Sequence, residues 1–190
     1  VCSSDLTDVP LIALHLTRPA ITIPDREALG MASHFDAAKG AYIIKDYNPE
    51  KPKKGVVIVR GTSSTNSLVQ ILPRIKEEGP NVKIVASISW ELFQRQTEDY
   101  RESIMTDSEW HDAMIITNGA RRLMHKWIAN RVVEEYSMAP DHDNRWRTGG
   151  SLDQIVAESK LDPDSLWEGI NKFAEDRDER LSQLRSSIPN

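Results

Sequence analysis

Val56-Val57-Ile58-Val59 is an unbroken β-branched run, stopped by Arg60 and the turn Gly61-Thr62-Ser63-Ser64. A strand apolar at every position is one that is covered on both faces. Leu68, Ile71, Leu72 and Ile75 follow at helical spacing and mark one buried helix face. Pro73 threatens a kink inside that helix, and Glu78-Gly79-Pro80 ends it. The pattern then repeats. Val82 to Ala86 reads as a strand, and two short helical pieces follow around Trp90 to Gln96 and Glu98 to Ile104. Ala113 to Thr117 is another strand. Arg121 to Asn130 reads as a helix with Leu123, Trp127 and Ile128 on one side, and Val132 to Met138 as a last strand. Strands alternating with helices predict an α/β domain built on a largely parallel sheet.

The flanks are less regular. Pro10 to Thr17 suggests a mostly buried strand. Arg18-Pro19 and Pro24 then hold the chain extended, because the residue before proline is pushed out of the helical region. Asp25 to Ser33 predicts a short helix capped by Asp25 and weakened by Gly30. Ala41 to Lys45 is a strand, and Asn48 to Lys54 a turn. Downstream, Asp141 to Gly150 is a polar loop. Ser151 and Gln154 form a capping box, and Asp162-Pro163 places a cap and then proline at the first helical position. Leu166, Ile170, Phe173, Leu181 and Leu184 continue as a helical stripe.

At about 150 residues per domain, 190 residues make one domain with a remainder. No apolar run approaches the roughly 20 residues of a membrane-spanning helix. A net charge of −5 argues against a broad nucleic-acid surface. The single cysteine, Cys2, excludes an intramolecular disulfide and points to a reducing, cytoplasmic setting. Val1 to Leu6 read as the translated end of a sequencing adapter, so Cys2 carries no redox role.

Few residues suggest chemistry. None of the five histidines sits in a recognised ligand spacing. Asp141-His142-Asp143 offers ligand types in a row, but neighbours on an extended chain point in alternating directions. Gly61-Thr62-Ser63-Ser64 lies where an α/β sheet presents backbone N–H groups to an anion. It lacks both phosphate-loop glycine patterns, so a capped tight turn explains it more simply. Arg145-Trp146-Arg147 reads as an arginine stacked on tryptophan at the surface. Arg18 closes an apolar strand, where α/β proteins place ligand contacts and where a guanidinium suits a phosphate or carboxylate. Taken alone, a solvated surface arginine fits Arg18 more readily.

Ile88-Ser89-Trp90-Glu91-Leu92-Phe93, then Gln96 and Tyr100-Arg101-Glu102-Ser103-Ile104, resembles the C-terminal domain of transketolase. Pro10 to Arg18 is similar to the last strand of the preceding pyrimidine-binding domain. Lys39 to Asp46 and Val56 to Ser64 are similar to the first strand and the glycine turn of the C-terminal domain. The resemblance runs from Val9 to about Ala174. It implies a three-layer α/β/α domain with a mostly parallel, mixed five-stranded sheet over residues 39–190. Residues 7–38 then form the end of the pyrimidine-binding domain and a linker.

The implied activity is transfer of a two-carbon ketol unit between sugar phosphates. Thiamine diphosphate and Mg would be held by two upstream domains rather than by this segment. The resemblance aligns Arg18 with an arginine that grips the sugar phosphate. It implies a homodimeric enzyme in which this segment serves packing and dimer assembly and is inactive alone. Alternatives are the same domain of a 2-oxo-acid dehydrogenase component or of deoxyxylulose-phosphate synthase, or a free-standing ligand- or partner-binding module. The chain departs from the family pattern at Thr17 and Pro19 around the arginine and at the Gly61 turn, which has no acidic residue. It departs again at Arg121-Arg122 and at Asp143 to Gly150.

Overall fold

The computed structural model describes residues 20–145, 147 and 149–186. The expected strand at Pro10 to Thr17, Arg18, Cys2 and Trp146 lie outside them. The described chain opens with one helical turn after Asp25, whose carboxylate accepts from the Ala28 N–H at 3.0 Å. Left-handed Gly30, with φ of 60°, follows it, so the expected helix goes no further.

Among the described residues four strands form the sheet: β1 (Ala41–Lys45), β2 (Val56–Arg60), β3 (Lys83–Ser87) and β4 (Ala113–Thr117). Their order is β1-β3-β2-β4. β2 runs parallel to β3 and β4, and β1 pairs antiparallel with β3. The mixed, mostly parallel sheet is thus as expected, with four strands in place of five.

The missing strand has a local cause. Over Val132 to Met138 the chain forms a helical turn, α5 (Arg131–Glu134). Asn130 caps it by accepting from the Val133 N–H at 3.0 Å. The cap and Glu134-Glu135 outweigh the β preference of Val132-Val133. Only Met138 reaches the sheet, in an isolated parallel bridge with Ile116.

Alternate side chains of the strands feed two cores, which makes the fold three-layered. Val57, Val59, Ile84, Ala86, Met114 and Ile116 pack under α1 (Thr62–Glu77) and α7 (Pro163–Glu175). Helix α1 runs unbroken through Pro73, which lies on its exposed side. Val56, Ile58, Val85, Ala113 and Ile115 face the opposite layer. That layer holds α2 (Trp90–Gln94), α3 (Glu98–Ile104), α4 (Asp107–His111) and a 3-10 helix at Arg121–Trp127. The expected α-helix there is corrected, and with it the buried residues. A repeat of three residues per turn aligns Met124 with Trp127; both are buried, and Leu123 is 61% exposed. The expected capping box at Ser151 opens α6 (Leu152–Glu158), and Asp162 caps α7. Helix α8 (Arg177–Ser186) ends the described chain, with Leu181 and Leu184 half-buried.

Helix α4 carries a buried charge pair. Its capping box joins Thr106 and Glu109. The Glu109 carboxylate accepts from Lys83 Nζ at 2.9 Å, Lys53 Nζ at 3.2 Å and the Thr106 N–H at 3.1 Å. Burial pushes the Glu109 carboxyl up, but these donors outweigh it and hold the group below its ordinary value. A depressed carboxylate contributes stability above its unfolded pKa, about 4.3. That contribution is lost as pH falls through the lower folded value. Glu109→Gln keeps the capping geometry and removes the charge. It is expected to lower the melting temperature at neutral pH and to lose this effect in acid below the ordinary carboxylate range. A melting-temperature gap that stays constant down to strong acid would contradict this.

Candidate functional site

Ligands of open α/β sheets bind beyond the carboxyl ends of parallel strands, where successive connections leave in opposite directions. Here α1 carries the chain from β2 to β3 on one side, and the chain leaving β4 passes to Met138 on the other. The crevice therefore lies between Arg60-Gly61 and Thr117-Asn118.

Its floor is closed. Gly61 has φ of 95° and begins α1 with no side-chain cap. Thr62 to Ser64 form the first helical turn rather than supplying the expected cap. Ser64 donates its hydroxyl to the Arg60 carbonyl at 3.2 Å, and Thr65 to the Gly61 carbonyl at 2.8 Å. The Asn118 side chain lies across Gly61, so that a Cβ there would stand 1.7 Å from Asn118 Oδ1. The turn packs strand against helix with Asn118 as its lid. No pattern in the sequence marks Asn118, since it meets Gly61 only through strand pairing.

On the other side of the same edge lies an open cavity of about 300 Å³, whose walls include Arg60, Trp90, Glu91, Arg122, Leu123, His125, Lys126 and Trp127. Arg60 places Nη1 3.9 Å from Met124 Sδ. Lys126 Nζ bonds Glu91 Oε1 at 2.6 Å. That bond, with a backbone N–H, holds the Glu91 carboxyl below its ordinary value. Among the described residues neither Arg60 nor Arg122 pairs with a carboxylate. Among the described residues the Trp127 indole, 1% exposed, has no partner for its N–H.

The stretch from Ile88 to Ile104 builds the wall of this cavity and the layer beneath. Ser89 and Thr97 cap α2 and α3 by accepting from the Leu92 and Tyr100 N–H groups, each at 3.3 Å. Phe93 stacks on Trp127 at 5.5 Å, and Trp90 meets it edge-on at 5.0 Å. Tyr100 donates its hydroxyl to the Ala41 carbonyl at 2.8 Å. These residues serve packing rather than reaction chemistry.

The remaining candidates are dispersed. Asp141 accepts from the Arg121 N–H at 3.1 Å. Asp143 is gripped by both Arg147 Nη atoms at 2.8 and 3.1 Å, which holds its carboxyl well below the usual range. The two acids therefore serve different partners. Among the described residues no group of three or more His, Cys, Asp or Glu side chains is placed to hold a metal ion. Arg18 lies outside the described residues.

Residues 40–138 match the family model described as the transketolase-like C-terminal domain. The chain belongs to the transketolase C-terminal domain family. The match takes in all four strands and ends at Met138, the bridge residue beside β4. Over 72 residues the chain is 35% identical to a chloroplastic transketolase of Solanum tuberosum, covering 38% of this chain and 10% of that one. It is 28% identical over 131 residues to a transketolase of Nostoc, covering 66% of this chain and 19% of that one. The transketolase of Leishmania mexicana superposes with a TM-score of 0.53 at 17% identity, over 77% of this chain and 19% of that one. This last likeness shows the fold alone. The chain therefore spans between a tenth and a fifth of these relatives.

Proposed function

We propose that this chain is the C-terminal part of a thiamine-diphosphate-dependent transketolase that moves a two-carbon ketol unit between sugar phosphates. The observation that carries the reading is the family match over residues 40–138 on a matching mixed sheet. The relatives named above are transketolases, which favours this reading over a 2-oxo-acid dehydrogenase component, deoxyxylulose-phosphate synthase or a free-standing module.

On this reading residues 7–38 end the pyrimidine-binding domain and residues 39–190 form the C-terminal domain. Arg18 grips the sugar phosphate, the enzyme is a homodimer, and this segment supports packing and dimer assembly. A cytoplasmic setting is part of this reading, supported by residues 7–190 carrying no cysteine that could form a disulfide. The described residues do not fit thiamine diphosphate or its Mg ion. They bring no acidic cluster together, and Asn118 fills the Gly61 turn. The cofactor belongs to the upstream domains, and the chain by itself is inactive.

The test is a ketol-transfer assay of this chain with xylulose 5-phosphate and ribose 5-phosphate. No turnover is expected, and measurable turnover would overturn the assignment of the catalytic centre to other domains. In the complete enzyme Arg18→Ala is expected to raise KM for phosphorylated sugars far more than for unphosphorylated ones. A lost charged hydrogen bond of about 1.5–3 kcal/mol sets the scale. Equal effects on both substrate types would remove Arg18 from the site.

A further inference from the structure

Cationic side chains gather at the carboxyl edge with few acidic partners. Arg60 is half-buried, and among the described residues its guanidinium is met by a thioether rather than by a carboxylate or carbonyl. Buried and half-buried guanidinium groups ordinarily find acceptors, since each carries five N–H donors and no acceptor of its own. The buried Trp127 ring forms part of the cavity wall. Arg122 adds a second guanidinium with no carboxylate among the described residues. Among the described residues the one acid in the lining, Glu91, is already taken by Lys126. This donor excess stands out in a chain whose net charge is −5.

The walls are apolar. Trp90 is half-buried, and Leu123 is 61% exposed at the rim. A volume of about 300 Å³ lies at the lower end of the range for small-molecule sites. A bare anion would leave the apolar walls without contact, and a neutral ligand would leave the donors without acceptors.

We propose that this cavity binds a small phosphate monoester, with Arg60 and Arg122 on the phosphate and with Trp90, Trp127 and Leu123 covering the organic group. The two guanidinium groups suit a phosphate because their planar forks bond its oxygens in pairs. The site lies outside the ketol-transfer chemistry proposed above, and its test uses no activity. Failure of one proposal therefore leaves the other standing.

The experiment is a titration of the 190-residue chain with phenyl phosphate, followed through the Trp127 indole N–H resonance and assigned with Trp127→Phe. A saturable shift of that resonance is expected, because the Trp127 ring lines the cavity. Arg60→Gln and Arg122→Gln should each weaken binding by about tenfold or more, the scale of one charged hydrogen bond. Leu123→Ser should weaken phenyl phosphate and leave inorganic phosphate unchanged. Arg122 and Leu123 are exposed, so these variants should keep the wild-type melting temperature. Benzyl alcohol should not bind. The proposal is overturned if no saturable shift occurs, or if Arg122→Gln binds phenyl phosphate as tightly as the parent. It is also overturned if inorganic phosphate binds as tightly as the monoester.

Discussion

Asp112→Ala is expected to destabilise the domain by about 3–5 kcal/mol, the scale for removing one partner of a buried ion pair. Asp112 lies just before β4 and is 4% exposed. Its Oδ1 accepts from Arg180 Nε at 2.9 Å and Nη2 at 2.7 Å, and its Oδ2 accepts from Arg177 Nε at 2.7 Å. Arg180 is fully buried. Its guanidinium sits 3.7 Å over the Phe173 ring and donates to the Phe173 carbonyl. Removing Asp112 leaves that charge enclosed with no counter-charge, which costs far more than the lost hydrogen bonds alone. The double variant Asp112→Leu with Arg180→Met is expected to be less damaged than the single one, because it removes both charges and fills the space. Denaturant unfolding measures both. A loss below about 1 kcal/mol in Asp112→Ala, the ceiling for a surface pair, would show that the pair is solvated. The clamp fastens α8 to the start of β4, and so holds in place a segment that lies beyond the family match.

That clamp also shows where sequence reading stops. Asp112 and Arg180 are 68 residues apart, and no local pattern links them. The strands are legible because their signal is local: an apolar β-branched run such as Val56 to Val59 commits its own segment. Caps are legible for the same reason, as at Ser151 and Asp162. Thr106 with Glu109 is an equally local signal, and it marks the start of α4, a helix the apolar periodicity does not show. Two departures from expectation come from competition at short range. At Val132 the Asn130 cap prevails over β propensity, and at Leu123 a 3-10 repeat replaces the α repeat, which exchanges the buried residue for Met124. The candidate site is the least legible part. Arg60 ends a strand and Arg122 and Trp127 belong to a later segment, so their convergence depends on β4 pairing beside β2. Arg18, which the sequence singles out, lies outside the described residues.

Gly40→Ala is expected to cost about 4 kcal/mol or more, which places it among the exceptional single substitutions. Gly40 joins the 3-10 turn at His34–Lys39 to β1, with φ of 89°. A side chain in that backbone region costs roughly 1–2 kcal/mol by itself. Steric overlap costs more. A Cβ on Gly40 would stand 2.3 Å from the Phe93 nitrogen and 2.4 Å from the Ser89 carbonyl oxygen. Both are backbone atoms, so no rotamer change relieves the clash. The Gly40 carbonyl also accepts from the Ile88 and Ser89 N–H groups, each at 2.9 Å. The glycine therefore seats the beginning of α2, and with it Trp90 and Phe93, against the edge of the sheet. Gly149→Ala is the control. Its φ is 141°, yet a Cβ there would meet nothing within 4 Å. It should show the conformational cost alone, and the difference between the two variants isolates the close approach. If Gly40→Ala were no more destabilising than Gly149→Ala in denaturant unfolding, the contact between Gly40 and the backbone of α2 would have to be abandoned. A loss confined to Gly40→Ala would explain why the stretch from Ile88 to Phe93 needs a glycine 48 residues before it, at a distance in sequence that no periodicity reveals.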